Sequence, residues 1–407
     1  MRTYRELFRT PEFAPLFTTM SAQVAAMTVS GLALATLVYD ATSSPLLAAL
    51  SMFGASFAQV LGAVALLSAA DRLPPRATLS GLALFFGLAT AALALPGLPV
   101  WAIFVIIMAV GVGASLGGGV RLGLLNEILP PGGYVLGRSV LNMSVGLQQI
   151  CGFAVGGVLV SLFSARGTLL VGAGLYLGAA LVARFGLSAR PPRAAGRPSI
   201  GETWRTNGIL WSSKPRRHIF LALWIPNGLI VGCEALFVPY DPAHAGLLFA
   251  FAAFGMLIGD TLVGRFVPHE WRPRLGAPLR LLLAAPYLVL FVQPPLTVTL
   301  AAVTLASVGF AASLLLQERL VALTPDQISG QAFGLQGAGM LTMQGVGAAL
   351  AGAVAQATTP ATAMAVMAMA SVGITLYLAP HLRAEEEDAT APAPAPVVTD
   401  QRGKARR

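Results

Sequence analysis

Long apolar runs follow one another along the whole chain, each broken by a short cluster of Pro, Gly or Arg. Twelve runs can be marked. The first six lie near 13–39, 46–70, 77–95, 99–122, 139–163 and 167–187. The second six lie near 218–240, 246–267, 277–293, 296–317, 331–357 and 360–380. A helix needs about 20 apolar residues to cross a bilayer, so each run is long enough, or nearly so, to span one. The first run exceeds the apolar region of a cleavable signal peptide and reads as a retained anchor. The pattern predicts an all-α polytopic membrane protein of 12 transmembrane helices.

Composition narrows the class further. Of 407 residues, 56% are hydrophobic and 11% charged, with a mean hydropathy of +0.74. A soluble domain is nearer a quarter charged, so this chain cannot clothe a surface facing water. Disorder and a secreted disulfide scaffold are excluded on the same figures. The net charge of +9 on a soluble protein would point to nucleic acid; here it asks which membrane side carries it. Twenty-five of the 26 basic residues fall in the two terminal segments or in and beside every second break, and only Arg166 falls at the others. By the positive-inside rule both termini are expected in the cytoplasm. The Arg bias, with Lys only at positions 214 and 404, adds a bacterial inner (plasma) membrane to the expectation. Cys151 and Cys233 sit in apolar runs and are expected to be buried, unpaired and metal-free.

Four segments follow. Residues 1–187 and 218–381 are expected to form two six-helix bundles, 188–217 a cytoplasmic linker, and 382–407 a disordered tail by its EEED and APAPAP composition. Ser199 and Glu202 match a capping box, and Ile200, Trp204 and Trp211 then share a face, so an interfacial helix is expected in the linker. Leu125-Asn-Glu127 and Leu316-Gln-Glu318 each close a run before a Pro-containing turn and a Gly-rich run, which marks a 6+6 repeat.

These features carry a resemblance to the major facilitator superfamily over essentially the whole chain. The segment Leu34-Ala-Thr-Leu-Val-Tyr-Asp-Ala-Thr-Ser-Ser-Pro45 resembles the end of helix 1 in its drug-exporter branch, which includes macrolide efflux proteins. Asp71-Arg72 and Arg76 match the signature between helices 2 and 3, with Leu67 and Pro74 where glycines belong. Gly152-Phe153-Ala-Val-Gly156-Gly157 is similar to the helix 5 antiporter motif without its proline. Residues 104–115 of helix 4 lack the arginine of many proton-coupled members. The resemblance implies a cavity between two bundles that rock to open on alternate sides, with helices 1, 4, 7 and 10 around it. Asp71, Arg72, Arg76, Arg265, Gly152, Gly156 and Gly157 are the gating set that follows.

Two acids fall inside predicted spans, where an unpaired carboxylate is costly. Glu234 lies seven residues after Asn227, on the same helical face. Burial favours its protonated form, the condition for loading and releasing a proton; pairing with a cationic substrate is the other functional reading, and a structural hydrogen bond the bland one. Asp260 is expected to pair with Arg265 or Arg280, with proton coupling as the second option. Weaker polar stripes are Gln23, Met27 and Ser30; Asn142 and Gln149; Gln336 and Met343. They suit a cavity for an amphiphilic organic molecule, and interhelical hydrogen bonds explain them equally well. No Gly-Lys-Ser/Thr loop, nucleophile elbow or catalytic acid pair is present, and the four histidines look isolated, so no enzyme, cofactor or metal is expected. The expectation is a monomeric secondary transporter: a proton-coupled exporter of a small amphiphile, with protons and lipids as partners. An importer or uniporter of the same fold, and a transport-inactive sensor or scaffold, are its rivals.

Overall fold

In a computed structural model of the chain, residues 4–66, 73–129, 134–192, 200–325 and 328–390 are described, and every regular element among them is helical. Eleven helices among these residues are long and apolar enough to cross a membrane. In chain order, α1 is Phe13–Thr42, α2 Pro45–Gly62, α3 Pro75–Leu93 and α4 Val100–Ile128. A 53-residue run, Tyr134–Gly186, comes next. Straight, it would be about 80 Å long, against a hydrocarbon thickness of about 30 Å. It is not straight. Ser164 has φ 67 and ψ 167, outside the helical region. Gly152 packs against Thr28, and Gly172, on the other side of Ser164, packs against Ser30. Both halves of the run therefore meet α1 at one level, and the chain folds back at Ser164. The two arms, α5 (134–163) and α6 (165–186), raise the number of crossings to twelve.

The second bundle holds α7 (Lys214–Glu234, continued by the short helix Phe237–Tyr240), α8 (Ala245–Phe266), α9 (Arg274–Val292), α10 (Leu296–Ala322), α11 (Ser329–Ala357) and α12 (Pro360–Thr390). Proline opens α2, α3 and α12, where its missing N–H costs nothing. Deeper in a helix it costs regularity. After Pro278, α9 tightens to a 3₁₀ helix over Ala285–Val292, with Pro286 in its first turn.

Several boundaries differ from those read in the sequence. The helix α12 runs on to Thr390, so residues 382–390 are not the loose tether expected of that composition. Successive Glu, Asp and Ala residues continue a helix readily once a packed segment has nucleated it. The linker does contain a helix, Ile200–Ser212, whose capping residue Ser199 lies outside the described residues. Trp211 stacks on Trp224 and Phe220 of α7 (centroids 5.7 and 6.4 Å), and the Gln331 amide donates to Asn207 at 2.8 Å. That helix is docked on the second bundle, with Trp204 left exposed. Before it, Glu12 at the start of α1 accepts hydrogen bonds from Ser188 and Arg190, tying the end of α6 back to the start of α1. Cys233 is buried as expected, whereas Cys151 is exposed on α5, because its helical face turns away from α1.

Candidate functional site

The seam between the two bundles has two unlike ends. At one end, where α1 begins and α12 leaves (the terminal face), the bundles keep separate cores. Leu7, Phe13, Leu16, Leu125 and Leu187 form one; Leu210, Phe220, Leu223, Leu320 and Leu382 form the other. At the opposite, far face a single core crosses the seam. It joins Leu32 and Ala35 of α1 to Ile230, Cys233 and Phe237 of α7, and Phe249 of α8. A second patch joins Ala49 of α2 to Ala235 and to Ala348 of α11.

Close approach at the far face rests on small residues. Gly157 of α5 meets Gly246 of α8 with no room for a Cβ on Gly246 and little on Gly157, and Phe153 stacks on Phe249 at 4.7 Å one turn below. On the other flank, Gly352 of α11 lies against Leu46 of α2, and the Ser44 hydroxyl donates to Gln356 at 2.8 Å. A hydrogen bond on one flank and a stacked ring pair on the other thus join the bundles directly. Toward the terminal face the same helices part. Gly31 of α1, Gly146 of α5, and Gly334 and Gly337 of α11 face open space, and Met27 is 54% exposed. The seam is a cleft, sealed at the far face and open at the terminal face.

The expected site residues distribute over this frame unevenly. Gln23 and Met27 lie on the α1 stripe that continues through Gly31 into the cleft, at i, i+4 and i+8. Ser30 does not, since it packs on Gly172 of α6 with its hydroxyl buried. Gln149 and Gln336 are half-buried; the Gln336 carbonyl accepts from the Trp224 indole at 3.0 Å. For Asn142 only the helical position on α5 is described. Gly152 and Gly156 serve α5–α1 packing, and among the motif's glycines only Gly157 reaches the other bundle, beside Phe153. Arg76 stands at the start of α3; Asp71 and Arg72 lie outside the described residues.

Asn227 and Glu234, expected as one stripe, have separate surroundings. The Asn227 amide donates to the Leu223 carbonyl and to the Ser313 hydroxyl of α10, at 2.8 and 2.9 Å, so it ties α7 to α10. Glu234 is the last residue of its helix, 8% exposed, beside the patch that crosses the seam. No described residue hydrogen-bonds its carboxyl. It lies within electrostatic range of the Tyr287 hydroxyl of α9, itself buried with no hydrogen-bond partner among the described residues. A buried acid with no hydrogen bond from the described residues thus stands near a buried phenol whose hydroxyl has no partner among them.

Among the described residues Asp260 makes no ion pair with Arg265 or with Arg280, contrary to the expectation from spacing. The Asp260 side chain is exposed on α8. Arg280 turns into the bundle, 3% exposed, and spends its Nε on the Gly276 carbonyl of its own helix at 3.2 Å. Spacing along the chain located both residues in depth; it carried no information about which way each side chain faces.

No cluster of three His, Cys, Asp or Glu side chains occurs among the described residues. No curated protein matches the sequence. Solved structures do match its fold. A POT family transporter in complex with a thioalcohol-conjugated peptide superposes with a TM-score of 0.72 at 13% identity, covering 91% of this chain and 96% of that one. A bacterial homologue of the human lysosomal transporter Spinster, inward-facing and unoccupied, gives 0.72 at 16%, covering 97% and 100%. A point mutant of the nucleoside transporter NupG gives 0.74 at 13%, covering 91% and 99%. At such identities the likeness speaks for fold alone, and the sequence itself supplies the rest. Residues 16–317 match the family model of the Major Facilitator Superfamily, so this chain belongs to that superfamily and has the fold of a secondary transporter.

Proposed function

We propose that the protein is a proton-coupled exporter of a small amphiphilic organic molecule, with the terminal face in the cytoplasm of a bacterial inner membrane. The observation that carries this reading is Glu234. The residue is buried next to a patch where the bundles touch, so separating them at the far face would hydrate its carboxyl. A lone buried carboxyl favours the protonated form, and a hydrated one releases its proton readily. Coupling needs a group whose hydration changes with the seam. The cleft supports the substrate class: its α1 stripe carries Gln23 and Met27 with no charged residue between them, a lining for an apolar body with a few hydrogen-bonding groups.

Asp260 has a place in the same cycle. The antiparallel register of Gly157 with Gly246 and Phe153 with Phe249, continued toward the terminal face, brings Asp260 level with Asn142, one turn from Arg138. Closing that face covers an acid that is exposed while the face is open, and a polar partner there would favour the closed form.

The test is accumulation of lipophilic dyes and antibiotics in a pump-deficient bacterial host. Wild type is expected to lower accumulation until a protonophore is added; Glu234→Gln is expected to fold and not to lower it. Protonophore-insensitive transport, or full activity in Glu234→Gln, would remove proton coupling through this residue. Uptake of a compound would favour the import reading, which the shared fold also permits.

A further inference from the structure

The four histidines are scattered in the sequence, yet folding brings two of them together. His218, in the second turn of α7, and His381, near the membrane end of α12, have ring centroids 5.0 Å apart with planes inclined at 49°. We propose that this pair forms a binding site for a divalent transition metal of the zinc class, clipping the terminal-face ends of α7 and α12 together.

The spacing fits one shared ion. A metal–imidazole bond is about 2.0–2.1 Å, and the ring centre lies about 1.1 Å beyond the nitrogen. Two such arms at a tetrahedral angle put the ring centres about 5 Å apart. The protonation state of His381 fits as well. Its Nδ1 lies 3.1 Å from the Tyr377 carbonyl, which can only accept, so Nδ1 carries the proton. That leaves the lone pair on Nε2, the ligand form of imidazole, with the ring held by a backbone hydrogen bond of the kind that orients metal-binding histidines. The Tyr377 ring, 5.4 Å away, packs against the same imidazole.

Acids follow further along the same helix. The helix continues without a break to Thr390, so Glu385 occupies position i+4 from His381, one turn further along. The run Glu385-Glu386-Glu387-Asp388 brings negative charge to an end of the chain otherwise rich in arginine, where a bare dication would be repelled. Water completes the remaining positions. This differs from the transport site in place and in chemistry, and stands or falls independently of it.

The experiment uses the full chain, purified without a polyhistidine tag and stripped of metal with a chelator. Zn²⁺ is titrated by calorimetry, and Co²⁺ by its visible absorption. One equivalent is expected, with Co²⁺ bands of four-coordinate geometry. His218→Ala and His381→Ala are each expected to weaken binding at least about ten-fold, and His244→Ala at the far face not at all. Thermal melting of wild type with and without Zn²⁺ gives a second readout that does not depend on the variants folding, with a rise in Tm expected. Absence of binding to wild type, or binding unchanged in both histidine variants, overturns the site. A melting temperature that depends on pH through both histidines but not on metal also overturns it, and makes the pair a proton-sensitive contact instead.

Discussion

Glu234 and Asp260 are both carboxyls on membrane-spanning helices of the second bundle, and they stand in opposite surroundings. Glu234 is buried at the closed end of the seam; Asp260 is exposed toward the open end. The contrast follows the seam itself. At the far face the helices approach through Gly157, Gly246 and Gly352, and their cores merge. At the terminal face each bundle completes its own core, so parting there leaves no apolar core stranded. Lipid supplies little drive for helix association, and closeness is reached by small residues and a few polar contacts. A seam held this way can open without breaking the bundles. The two acids lie toward its two ends, Glu234 covered and Asp260 bare in this conformation.

The sharpest way to break the comparison is to wedge the far face. Gly246→Leu sets a side chain against the Gly157 backbone and the Phe153 carbonyl. Transport is expected to be lost, and thiol labels placed near Leu46 are expected to react from the far side. Unchanged transport would mean that this contact is not a gate. The complementary experiment locks the same face. Ser44→Cys with Gln356→Cys, joined by a short thiol cross-linker after Cys151 and Cys233 are replaced by Ser, is expected to stop transport while sparing the fold. Each single variant should tolerate the reagent.

Asp260→Asn tests the open end. Removing its charge is expected to slow transport several-fold and to leave thermal stability nearly unaltered, since the side chain is exposed. A stability loss instead would place Asp260 in a structural pair. Asn227→Ala addresses packing inside the bundle. It strips Ser313 of its donor, and such interhelical bonds are worth about 0.6 kcal/mol on average, so Tm should fall by only a few degrees.

The smallest effect is expected at Glu12. Burial pushes its carboxyl up, but the hydrogen bonds from Arg190 and Ser188 and the Arg190 charge outweigh this and hold it below the ordinary 4.5. A carboxyl lowered by folding stabilises the protein above its unfolded value and ceases to as pH falls through the folded one. Wild type should therefore melt slightly above Glu12→Gln at neutral pH, and the difference should vanish well below pH 4.5. A difference that persists in acid would assign it to packing rather than to the ion pair.

The twelve apolar runs were legible in the sequence because crossing a bilayer demands length and apolarity in one continuous stretch, and neither depends on neighbours. Even the fold-back at Ser164 was visible as the break between two runs. Boundaries were less so: α7 begins four residues before its apolar run, because the charged stretch Lys214 to Arg217 is already helical. Depth was legible too, which is why Glu234 and Asp260 stood out as acids inside spans.

Direction was not legible. Helices that are apolar all round show no preferred face, so nothing in α7 told that Asn227 would turn to Ser313, and nothing in α8 that Asp260 would miss both arginines. Nor did the sequence hint that His218 and His381 would meet. By itself it determined the number of crossings, their order, the superfamily and the acids worth asking about, because those are set by local composition and by motifs of contiguous residues. Which side of the seam is shut, which acid is covered, and which distant side chains touch were decided only by the tertiary structure. Each depends on how two helices are rotated against one another, and that rotation is fixed by packing between bundles rather than by any single stretch of chain.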